Sequence, residues 1–212
     1  LPRSLTPRPE SPAPTISGDE LPEGKAISAL GREALAFIWE TIKVVIISLA
    51  IIVPIRYFLV QPFFVKGASM EPTFDDSNYI LIDEIGYRFR NPERGEIVVF
   101  RFPQDRSQFF IKRVIGLPGE TVEIKDNKVT IYNQAHPKGL VLNEDYLAPG
   151  QQTLGNFKVK VDSNEYYVLG DNRARSSDSR VWGQVNRILI TGRVFFRALP
   201  IKDFGSFPKV NY

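Results

Sequence analysis

The chain has 212 residues, 43% of them hydrophobic, and a formal net charge of +3, enough for one core domain with at most a small extra lobe. It holds no cysteine and one histidine, which excludes disulfide scaffolds, thiol nucleophiles and cysteine-ligated metals, and leaves a Ser-His-Asp triad or a zinc site only His136, in the turn-like stretch Asn133–Gly139. The mild basicity is scattered, which describes a solvated surface better than a nucleic-acid footprint.

The chain opens on Leu1 rather than Met, as a fragment or processed product would. Residues 1–25 are rich in Pro, Ser and Thr and poor in apolar residues, the composition of a disordered, partly extended tail. Residues 26–37 place Ala26, Ile27, Leu30, Ala34, Leu35 and Phe37 at helical spacing, with Gly31 as a weak point. A charge-free run, Val44 to Ile55, follows. Alone it is shorter than the ~20 residues that cross a bilayer. Its flanks, Ile38 to Ile42 and Tyr57 to Val60, extend it, and Lys43, Arg56, Trp39 and Tyr57 suit the two interfaces. The expectation is one membrane-spanning helix over residues 38–60, an uncleaved signal anchor, against the alternative of a buried core helix. Lys25, Arg32 and Lys43 precede the charge-free run, and Arg56 and Lys66 follow it. This slight asymmetry points to a single-pass plasma-membrane protein with a cytoplasmic N-terminus and an extracytoplasmic domain over residues 61–212.

From Gln61 onward the pattern changes to strands rich in Val, Ile, Phe and Tyr. Candidates are residues 62–66, 79–83, 96–102, 109–116, 121–125, 128–132, 157–161, 165–169 and 189–197, parted by Gly, Pro, Asn and Asp. Asp126-Asn127 between two short alternating runs is a hairpin signal. The fold class is mainly β: an antiparallel domain after one helix.

Three stretches carry chemistry. Ser69 stands in Gly67-Ala68-Ser69-Met70-Glu71-Pro72-Thr73, where small residues admit a substrate backbone and Pro72 fixes the turn. Lys112 interrupts the apolar run Phe109 to Gly116. A strand there puts Phe110, Lys112 and Val114 on one face and Ile111, Arg113 and Ile115 on the other. Lys112 could guard a sheet edge. Alternatively, burial strips its proton, and a neutral amine is a base. The third stretch, Gly170 to Gly183, follows the apolar strand Tyr166 to Leu169. Its charges Asp171, Arg173, Asp178 and Arg180 suggest an ordered, self-paired loop, against the alternatives of a solvated loop or an anion site.

With the anchor in front, these boxes resemble the type I signal peptidases, in that family's order: the Ser-Met-x-Pro-Thr box, Arg94-Gly95-Glu96-Ile97-Val98-Val99-Phe100, Lys112-Arg113-Val114-Ile115-Gly116-Leu117-Pro118-Gly119-Glu120, then Gly170 to Arg180. The resemblance spans roughly residues 38–197. It implies a serine endopeptidase without metal or cofactor that cleaves signal peptides from exported precursors after small-x-small sites. It makes Ser69 the nucleophile, Lys112 the general base and Ser176 the hydroxyl that orients the amine. It makes Asp178 and Arg180 a structural ion pair, and Phe63, Val65, Met70 and Ile111 the lining of shallow substrate pockets. Some members carry a Ser two residues before the nucleophile, where this chain has Gly67, so the oxyanion hole would rest on the Ser69 N–H and the Gly67 N–H. The implied partners are signal peptides and the lipid bilayer, with no nucleic acid. Two other readings fit less of the chain. A self-cleaving repressor with the same β core would need a DNA-binding helix–turn–helix in front, and a binding-only anchored domain would not need Ser69, Lys112 and Ser176 together.

Overall fold

A computed structural model describes residues 23–54, 61–207, 210 and 212. It separates into two units, one made of the N-terminal residues and one made of the rest.

Helix α1 runs unbroken over Glu23–Pro54. Its stretch Arg32–Val53 is long and apolar enough to cross a membrane, with mean hydropathy 2.2 and an apolar window that is wholly unburied. The helix continues through residue 37, the expected boundary between juxtamembrane helix and span: one internal glycine lowers helix stability by only about 1 kcal/mol, and Gly31 is carried through. The core-helix alternative fails because Phe37, Trp39, Ile46 and Ile52 all stay exposed. Lys43 pairs with Glu40 at 2.6 Å, so this mid-helix charge has a partner one turn away. The tail up to residue 22 and the far end of the expected span, residues 55–60, lie outside the described residues.

The second unit is built on two antiparallel sheets. The larger joins β1 (Gln61–Phe64), β2 (Tyr79–Asp83), β3 (Ile97–Phe102), β4 (Asp105–Gly116), β9 (Glu165–Leu169), β10 (Val185–Asn186), β11 (Ile190–Leu199) and β12 (Gly205–Ser206) in the order β1-β2-β11-β3-β4-β9-β10, with β12 on β11. The smaller has the order β7-β6-β5-β8, from β5 (Thr121–Lys125), β6 (Lys128–Tyr132), β7 (Leu140–Val141) and β8 (Phe157–Lys160). Every strand expected from the sequence is present to within a few residues. The additions are the two-residue strands and the one-turn helices α2 (Gly86–Phe89) and α3 (Ser179–Trp182), pieces too short to show a period. Asp126 and Asn127 both take positive φ, 51° and 59°, as a two-residue hairpin turn requires.

The alternation of side chains builds three apolar clusters. Val98, Phe100, Val114, Tyr166 and Val168 fill one. Ile115, Val122, Ile131, Tyr167 and Leu169 fill a second, between the sheets. Val65, Met70, Phe74, Ile82 and Val99 fill a third under the loop that carries Ser69. The larger sheet curls strongly: Phe63 of β1 meets Phe109 of β4 edge to face at 5.2 Å, although three strands lie between them in the sheet order. A groove opens along that closure.

Candidate active site

The groove holds about 830 Å³ and is walled by residues 62–69 on one side and 108–112 on the other. Ser69 and Lys112 both line it. Ser69 sits at the start of the turn that follows β1, and Lys112 comes from the middle of β4. Separated by 43 residues, they meet with Lys112 Nζ 2.8 Å from Ser69 Oγ.

Lys112 is 3% exposed. Its amine lies 5.4 Å from the centroid of the Phe110 ring and donates to the Ile111 carbonyl oxygen at 2.8 Å. Burial pushes the amine down to about 8; the negative charges of Asp178 and Asp171 hold it from falling further. The edge-guard alternative fails on burial: pairing with β9 begins only at Arg113, so the edge beside Lys112 is open, but a guarding charge has to be exposed and the Lys112 side chain is not.

Arg113, the next residue, is a second signal in the same strand. Two adjacent charges in one apolar strand require two sources of compensation. Arg113 faces the other way and is also 3% exposed. It meets Asp171 in a two-pronged pair, Nε to Oδ1 at 2.8 Å and Nη2 to Oδ2 at 2.6 Å, and its Nη1 donates to the Gly95 carbonyl. Asp171 also accepts from Thr73 Oγ1, and the Asn172 N–H donates to the Ser69 carbonyl at 3.0 Å. One carboxylate thus ties β4, the loop after β9 and the turn of Ser69 together.

The loop after β9 is ordered, though of its five charges only Asp178 and Arg180 pair within it. Arg180 holds Asp178 through Nε at 2.8 Å and Nη2 at 2.9 Å, and Asp178 Oδ2 accepts the Gly170 N–H. Asp171 goes instead to Arg113, and Arg173 reaches out to Glu144. Such partners, 58 and 29 residues away, are invisible to a local reading.

Three expectations need correction. Ser176 Oγ is buried beside the dyad but has no hydrogen-bond partner; the second contact of the amine is the Ile111 carbonyl, because that carbonyl belongs to the residue next to Lys112 and needs no loop to deliver it. The Gly67 N–H does not face the groove as a free donor: it is taken by Asp76 Oδ1 at 2.7 Å. That contact and the one from Ser77 hold the Asp76 carboxyl below its ordinary range. Among the described residues the Ser69 N–H has no acceptor, so it stays available. Met70 does not line the groove. The chain turns inward after Ser69, and Met70 is fully buried in the cluster beneath. Phe63, Val65 and Ile111 do line the groove.

Gly67 holds φ = +86°, where a side chain would be strained although space for one exists. At Gly170 space itself is the constraint: an added Cβ would lie 2.1 Å from Ser176 Oγ and 2.5 Å from the Ser69 carbonyl. His136 lies in an exposed turn that does not line the groove, and among the described residues no group of His, Asp and Glu could hold a metal ion.

Residues 38–199 match the family described as signal peptidase, peptidase S26. A probable signal peptidase I-1 of Synechocystis is 36% identical over 178 residues, covering 80% of this chain and 87% of the relative. Signal peptidase IB of Staphylococcus aureus (strain Mu50) is 34% identical over 185 residues, covering 75% and 90%. The crystal structure of a signal peptidase I from Enterococcus faecalis V583, 34% identical, aligns with 49% of this chain and 97% of its own at a TM-score of 0.42.

Proposed function

Because the chain belongs to the signal peptidase family, peptidase S26, and is a type I signal peptidase, a membrane-associated serine endopeptidase acting on the signal peptides of exported proteins, we propose that Ser69 is its nucleophile and Lys112 its general base. The observation that carries this is the 2.8 Å approach of a buried amine to a groove-lining hydroxyl.

The chemistry needs a neutral amine. A free lysine, with pKa ~10.4, is almost wholly protonated near pH 8. With the amine brought down to about 8, about half of it is neutral at pH 8 and about a tenth at pH 7. A neutral amine has two N–H groups and one lone pair. One N–H goes to the Ile111 carbonyl, and the lone pair is left for the Ser69 proton. As Ser69 Oγ attacks the scissile carbonyl carbon, Lys112 takes that proton, then gives it to the leaving amine. A water that Lys112 deprotonates in turn releases the acyl group. The oxyanion accepts from the Ser69 N–H. With the Gly67 N–H occupied, the second donor comes from elsewhere. The Asp178–Arg180 pair holds the loop whose Asn172 N–H packs on the Ser69 carbonyl.

The substrate enters as an added strand. Val114 directs its N–H and C=O toward β3, so by alternation Phe109 and Ile111 direct theirs toward the groove. An extended peptide can pair with that edge, with alternate side chains against Phe63, Val65 and Ile111. These shallow walls suit small residues, which is the basis for cleavage after small-x-small sites. Helix α1 anchors the protein in the plasma membrane with its N-terminus cytoplasmic and residues 61–212 extracytoplasmic.

Purified protein incubated with a labelled preprotein tests the reading. Ser69→Ala and Lys112→Ala are each expected to lower kcat by at least about a thousandfold while the circular dichroism spectrum is retained. Wild-type rates in either variant would overturn the dyad.

A further inference from the structure

Three charged side chains line the groove: Lys66, Lys112 and Arg175. Among its described lining residues none is acidic. Lys112 is accounted for. Arg175 is not, and its surroundings differ from those of the other arginines in the same loop. Arg173 and Arg180 are buried against the carboxylates Glu144 and Asp178, so they fix the loop. The Arg175 side chain is 70% exposed. Only its backbone is fastened, with the N–H within 3.1 Å of the Asn172 carbonyl and 3.3 Å of Asn172 Oδ1.

Its nearest carboxylate is Glu71, with Nη1 to Oε2 at 3.8 Å, too long for a hydrogen bond. Glu71 Oε2 also accepts from Asn172 Nδ2 at 3.3 Å. An exposed pair of that length adds little to stability, so a loop staple is a poor account of Arg175. The guanidinium keeps most of its five donors for something else.

Its place in the groove says what. The apolar walls come from β1 and β4, whereas Arg175 and Ser177 line the groove from the loop after β9, which packs on the Ser69 carbonyl through the Asn172 N–H and binds the Arg175 N–H to the Asn172 carbonyl. If the residues before the scissile bond occupy the apolar walls, the chain after the bond leaves past Arg175. We propose that Arg175 is a specificity-determining residue that selects an acidic side chain among the first residues after the cleaved bond. This rests on the reading of the groove given above. The recognised group is a carboxylate, held by a screened, solvent-facing charge pair rather than a buried one. The effect is therefore a preference, not an absolute requirement.

The test uses the full chain in detergent micelles and fluorogenic peptides with one small-x-small site. Glu, Gln or Lys is placed in turn at each of the first three residues after the bond. At one of these positions the wild type is expected to favour Glu over Lys by about fivefold in kcat/KM, with Gln between, as an exposed ion pair allows. Arg175→Gln should bring the ratio close to one and Arg175→Glu should invert it. The wild-type preference should shrink in about 0.5 M salt, where exposed charges are screened; a purely structural Arg175 would not give this dependence. Peptides all cleaved, with the same Glu-to-Lys ratio in wild type and Arg175→Glu, would overturn the inference and leave the dyad standing. Failure of the wild type to cleave any peptide would overturn the Ser69–Lys112 reading, and this inference with it.

Discussion

At the scale of single residues, Lys112 is a charge the fold would be more stable without. In the unfolded chain its amine keeps its proton up to about pH 10.4, whereas the folded chain gives it up near 8. The folded state therefore carries a penalty below pH 8 that fades as pH rises from 8 to the unfolded value. Lys112→Met should abolish cleavage yet raise stability by up to about 3 kcal/mol at pH 7, with the gain vanishing above pH 10.5, as urea melts across that range would register. The same titration sets the rate: kcat/KM should fall about tenfold per unit below pH 7 as the base is protonated, and a profile flat to pH 5 would falsify a lysine base. The sequence made Lys112 legible because one charge broke an apolar run. The roles of Gly67 and Met70 were not legible. They depend on which way the backbone turns after Val65, and on Asp76 reaching back nine residues to a main-chain N–H, which no local pattern encodes.

At the scale of elements, the site is assembled where one strand and two loops share one carboxylate. Asp171 neutralises Arg113 and holds Thr73. Asp171→Ala would leave the Arg113 charge buried and unpaired, at a cost of about 3–5 kcal/mol, or roughly 10 °C in Tm for a unit of this size. Differential scanning fluorimetry reads the Tm. A variant that melts like the wild type would show that the pair is not what joins these elements. Strand positions were well marked in the sequence because alternation and turn residues recur from β1 to β11. The pairing of β4 with β9, and of the loop after β9 with the turn of Ser69, was not marked. These contacts join residues far apart in the chain, and periodicity says nothing about who sits beside whom.

For the whole molecule, the two units divide the work between location and chemistry. The β unit has its own three apolar clusters, and α1 exposes its apolar residues from Leu35 to Val53. Residues 61–212 produced alone should cleave a soluble peptide within about threefold of the full chain's kcat/KM but fail to float with phosphatidylcholine vesicles, whereas the full chain floats. Flotation of the shortened protein would assign membrane attachment to the β unit instead. The helix was readable from composition, and it runs on through Gly31 because one glycine among favourable neighbours does not stop propagation. A last consequence follows from the Ile111 carbonyl, which accepts from the Lys112 amine and also belongs to the edge on which a substrate strand would be laid. On the proposed strand pairing, an arriving peptide N–H would share that oxygen with the amine, one on each of its two lone pairs. Docking and deprotonation would then not be independent events, and the empty groove and the filled one would hold bases of different strength.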